Sequence, residues 1–103
     1  MLPLNLSLLG RDVVVEAVEE LPGRYGEADS NINSIKIKTK QQALMEADTL
    51  LHECLHLISD YMQLNLTERQ VYCTSVAFFA LLRHNPELLD YFKYAIEHPR
   101  EVV

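Results

Sequence analysis

The chain is short of three things, and each shortage removes a class of function. Cysteine occurs twice, at Cys54 and Cys73, too few for a four-thiolate zinc site or a disulfide framework, so both read as small buried apolar residues. Cations are few as well: nine Lys and Arg against fifteen Asp and Glu leave a net charge of −6. That is the wrong sign for neutralising phosphates, and with no basic patch in view direct nucleic-acid binding is not expected. Nor is there a run of about 18 apolar residues to span a bilayer. The apolar opening MLPLNLSLLG has no basic leader and is broken by Pro3 and Asn5, so no signal peptide is read there. The chain is expected to stay in the cytoplasm, away from membranes.

What is present is an ordinary globular composition, 49% hydrophobic and 23% charged over 103 residues, which predicts a single domain over 1–103. No repeat, low-complexity tract or linker interrupts it, but the pattern changes near residue 40. RDVVVEAVEEL (11–21) opens on three consecutive valines and then alternates, as a strand with one buried face does. PGRYGEADSNIN (22–33) collects Gly, Pro, Asp, Ser and Asn and reads as a loop. SIKIKTK (34–40) alternates strictly, with Ile35 and Ile37 on one face and Lys36, Lys38 and Lys40 on the other, predicting a second strand antiparallel to the first. LNLSLL (4–9) predicts a third. The lysines read as a solvated face, or as an edge that accepts an extended peptide by strand addition.

After residue 40 the period becomes helical. Thr39 with Gln42 forms a capping-box pattern ahead of QALMEADTLLHECLHLISDYMQ (42–63), which contains neither Gly nor Pro. Leu44, Ala47, Leu50, Leu51, Cys54, Leu55, Ile58 and Met62 form its apolar stripe. Thr67 with Gln70 is a second capping box, opening a helix that runs to about His84. Pro86 sits at the first position of a third helix and Pro99 closes it. The fold class predicted is therefore α+β: a small antiparallel sheet of two or three strands followed by three α-helices.

The first helix carries the chemistry. His52 and His56, four residues apart, can converge two imidazoles on one metal at Zn–N distances of about 2.0–2.1 Å. Glu53 projects beside such a metal rather than onto it, where it can take a proton from metal-activated water. With four His and ten Glu among 103 residues, shuffling the sequence yields roughly 0.01 occurrences of this motif. A solvated polar helix face is the plainer alternative. The position of the motif, mid-helix, flanked by Leu50, Leu51 and Leu55 and following a strand, speaks against it.

In this order and context the chain resembles the zincin metallopeptidases. More closely, Gly26, Asp29, SIKI, LLHECLH, a glutamate opening the next helix and then LLRHNPELL resemble small phage- and bacterial-type minimal gluzincins related to the ImmA/IrrE metallopeptidases. The likeness spans roughly residues 26–90, and its specific part is the His-Glu-x-x-His motif. It implies Zn2+ as cofactor, His52 and His56 as ligands, Glu53 as general base, a glutamate on the following helix (here Glu68) as third ligand, and a peptide or protein substrate. The spacing departs from longer relatives, with eleven residues between His56 and Glu68.

Two alternatives stand beside Glu68: its acidity at a helix start favours the dipole without any ligand role, and Asp60 is a rival donor. His52, His56 and Asp60 at i, i+4 and i+8 lie along a line of about 12 Å, which a tetrahedral metal cannot readily be gripped from. Asp60 then becomes an acceptor for a ligand histidine N–H. For Glu68 to reach back, the first helix must end near residues 60–62 or the next must cross it steeply. Tyr72, one turn after Glu68, reads either as a donor to a developing oxyanion or as half-buried core. So small a domain favours a loosely structured peptide as substrate. A metal-binding interaction module without turnover is the competing function.

Overall fold

In the computed structural model, which describes residues 2–103, side-chain alternation and turn chemistry build a four-stranded sheet. Its strands are β1 (Asn5–Leu8), β2 (Arg11–Val18), β3 (Gly26–Asp29) and β4 (Ser34–Lys38), in the order β1-β2-β4-β3. β1 and β2 form a hairpin whose two turn residues, Leu9 and Gly10, both have positive φ (51° and 79°), the backbone that a tight hairpin with right-handed twist requires. One face of the sheet holds Val13, Val15, Ile35 and Ile37, none more than 2% exposed. On the opposite face Glu16, Lys36 and Glu27 stand in one cross-strand row, so opposite charges alternate on the solvated surface.

Two expectations about the sheet are corrected. β4 pairs with β2 in parallel, Val14 opposite Ser34 through Val18 opposite Lys38, not antiparallel. A parallel pair needs a crossover of about a dozen residues or more, and fifteen lie between Val18 and Ser34. Within that crossing, the segment read as a loop contains β3, which pairs antiparallel with β4. The lysine-bearing strand is therefore interior, and the edges are β1 and, on this side, β3. The turn from β3 to β4 is closed by Asn31 N–H donating to Asp29 Oδ1 at 2.9 Å, with Asn33 in the left-handed region.

Three helices follow: α1 (Ala43–Tyr61), α2 (Glu68–His84) and α3 (Pro86–Glu97). The α+β class stands, with one strand more than expected. Thr39 does not cap α1. Its N–H donates to Val18 O at 2.8 Å, which keeps it in the sheet, and Gln42 becomes the N-cap residue without a side-chain bond. Gln41 joins the two elements instead, donating to Lys38 O at 2.8 Å and accepting from Thr49 Oγ1 at 3.1 Å. The second capping box forms as expected, Gln70 N–H to Thr67 Oγ1 at 3.1 Å and Thr67 N–H to Gln70 Oε1 at 2.9 Å.

The face that α1 lays on the sheet is rotated from the expected stripe. Leu50, Cys54, Leu57 and Tyr61 pack against the valines and isoleucines, with Leu57 fully buried, whereas Leu44 and Met62 are 49% and 55% exposed. Spacing of four, three and four residues is the helical repeat that follows one face, and each fully buried side chain contributes about 1.5–3 kcal/mol. Of the cysteines, Cys54 is partly buried but Cys73 is exposed on α2, against the expectation that both are core.

Candidate metal centre

The rotation of α1 decides where the motif residues go. Glu53 lies next to the sheet-packed stripe and is 7% exposed, while His52 and His56 turn toward α2. α1 ends at Tyr61 and six residues, 62–67, lead to α2, which meets the requirement that the first helix stop early. The side chain of Ser59, 4% exposed, fixes this connection by accepting from Leu66 N–H at 2.9 Å, and its carbonyl accepts from Leu64 N–H at 2.9 Å. Gln63 and Asn65 take positive φ, both 55°. The folded-back connection sets Glu68, the first residue of α2, over the two histidines.

Three side chains converge. His52 Nε2 lies 2.8 Å from Glu68 Oε1, His56 Nε2 lies 2.8 Å from Glu68 Oε2, and the two Nε2 atoms are 3.2 Å apart. Tetrahedral bonds of about 2.0–2.1 Å would set donors about 3.3–3.4 Å apart; the two 2.8 Å contacts are of hydrogen-bond length, so the three side chains form a group that could hold one metal ion after opening by about half an ångström. Two imidazole nitrogens and a carboxylate are also the donor types zinc takes. The Glu68 side chain is 71% exposed, which leaves the group open to a cleft of about 370 Å³ bounded by Arg24, Gly26, Glu27 and Asp60.

Glu53 stands under β3. A Cβ added at Gly26 would lie 2.7 Å from Thr49 Cγ2 and 2.9 Å from both Cγ and Oε2 of Glu53, so the strand reaches α1 because that position has no side chain. Burial, more than any neighbour, pushes the Glu53 carboxyl up to about 7; a charged His56 works against this and Glu68 adds to it. Burial likewise pushes the Cys54 thiol up, leaving it a poor nucleophile.

Of the remaining expected site residues, Asp60 is exposed and lines the cleft. It is not part of the converging group, and none of the histidine side-chain bonds goes to it. Tyr72 is 59% exposed, not half-buried, and lines an adjoining cleft of about 270 Å³ with His52, Glu53 and Glu68. Three participants escaped the sequence reading: Ser59, Arg24 and Ser75, the last 1% exposed with its Oγ 3.4 Å from His52 Nδ1. Ser75 had a signal, since it falls on the inward stripe of α2 with Val71, where an apolar residue is the rule. Ser59 and Arg24 had none.

No protein-family model, no curated protein and no solved structure matches this chain.

Proposed function

We propose that the chain is a zinc-dependent metallopeptidase of the minimal gluzincin kind, related to ImmA/IrrE, acting on extended peptides. The observation that carries the reading is the convergence of His52, His56 and Glu68 beside a buried Glu53. His52, His56 and Glu68 would hold the zinc, which when bound would supply Lewis-acid chemistry to water and a carbonyl. Glu53 takes the proton of the attacking water and returns it to the leaving amine. In the metal-free chain burial raises this carboxyl to about 7, and a cation bound beside it lowers it again toward the ionised form that a base requires. The free edge of β3, which ends at the cleft, aligns the substrate as an added strand through its main chain. Tyr72, exposed beside Glu68, donates to the negative charge that develops on the carbonyl oxygen.

Cleavage of an unstructured peptide library by the zinc-loaded protein tests this. Glu53→Gln should keep the metal and lose activity by on the order of 10²-fold or more; equal rates would remove Glu53 as the base. A second reading, a zinc-binding module for a protein partner, is favoured by α3, which has no buried residue and exposes Leu89, Phe92 and Ile96 by 49%, 50% and 77%. Zinc binding by a wild type that cleaves nothing would favour that reading.

A further inference from the structure

We propose that Ser75 is a positioning residue that fixes the tautomer of His52 and so readies its Nε2 for a metal. The inference rests on the reading of His52, His56 and Glu68 as a zinc site and adds the group that holds one ligand from behind. Ser75 lies two turns after Glu68 on α2 and is 1% exposed, with Oγ 3.4 Å from His52 Nδ1 and 3.0 Å from Tyr72 O.

A serine hydroxyl has one proton and two lone pairs. The Tyr72 carbonyl can only accept, so it takes the Ser75 proton, and toward His52 the hydroxyl presents lone pairs. Nδ1 of His52 is then the donor, in competition with the 2.8 Å contact to Glu68 Oε1 that draws a proton to Nε2. In the neutral ring that leaves Nε2 without a hydrogen. Nε2 faces the Nε2 of His56 at 3.2 Å and Glu68 Oε1 at 2.8 Å. A bare nitrogen facing a carboxylate oxygen sets acceptor against acceptor, a contact that a cation between them relieves. α2 thus flanks His52 at both ends, Ser75 bonding Nδ1 and Glu68 facing Nε2 across the place where a cation would lie. Partners of this kind typically carry a 10- to 100-fold share of metal affinity, to order of magnitude.

The test combines two measurements. The first is nitrogen NMR of the His52 ring in metal-free protein, at alkaline pH with the ring neutral. The second is zinc affinity by chelator competition for wild type, Ser75→Ala and Ser75→Thr, with metal-free melting temperatures as the folding control. Expected are a proton on Nδ1 of His52 in the wild type, a mixture of tautomers in Ser75→Ala, zinc binding about 10- to 100-fold weaker in Ser75→Ala, and wild-type behaviour in Ser75→Thr, which keeps the hydroxyl. A wild-type proton on Nε2, or unchanged zinc affinity in a folded Ser75→Ala, would overturn the proposal. Should Ser75→Ala not fold, the wild-type tautomer decides alone. A wild type that binds no zinc at all removes the metallopeptidase reading, while the tautomer still decides for or against Ser75.

Discussion

Glu53 carries a measurable pH signature of its burial. The carboxyl titrates near 4.5 when unfolded and is pushed up to about 7 in the folded chain, so the native state holds the proton more tightly than the unfolded one. Its contribution to stability is fully present below 4.5 and is lost as the pH rises to about 7, after which it is flat. Denaturant titrations of metal-free protein across that range should show stability falling with pH more steeply in wild type than in Glu53→Gln. Parallel curves for the two would mean that Glu53 is solvated. The motif residues were legible because spacing on a helix fixes their relative directions before any tertiary contact exists, and Glu68 was legible through a family likeness. Leu57 was not: it is the most buried residue of α1, yet a helix with apolar residues over most of its circumference does not reveal which arc meets the sheet.

At the scale of elements, β3 marks the limit of pattern reading. GEAD has no β-branched or aromatic residue and all four of its residue types are depleted in strands, so nothing local announces it. Its ladder with β4 and its contact with α1 impose the conformation from outside. The antiparallel assignment of β2 and β4 failed for the same reason, since an unseen strand between two visible ones makes a parallel pair look like a long hairpin. The helices were legible almost to their ends, because the Thr67–Gln70 capping box and Pro86 are local devices that need no tertiary help. Thr39 misled because the sheet kept its backbone. Gly26→Ala tests the β3–α1 contact. Thr49 is held by its Oγ1 donating to Met45 O at 2.8 Å, so β3 should lift from Glu53, lowering stability by about 1–3 kcal/mol in urea melts and, on the proposed function, turnover on the order of 10²-fold. Wild-type stability and turnover in this variant would show that the close approach is unimportant.

The whole molecule is elongated, 48 × 30 × 26 Å with a radius of gyration of 14.7 Å, against about 13 Å for a compact chain of this length. The excess comes from the helical end, where α3 contributes no fully buried side chain. The sheet and α1 hold the core at the other end, and no helix among the described residues is long and apolar enough to cross a membrane. The candidate metal centre sits where α1 and α2 meet, so an ion bound there would tie α2 to the sheeted half and stabilise the folded state by mass action. The direct measurement is the metal content of protein purified without added zinc, for wild type beside His52→Ala, each shown to be folded. The geometry predicts about one zinc per chain in the wild type and none in the variant. A metal-free wild type, or stoichiometric zinc retained by His52→Ala, would contradict it.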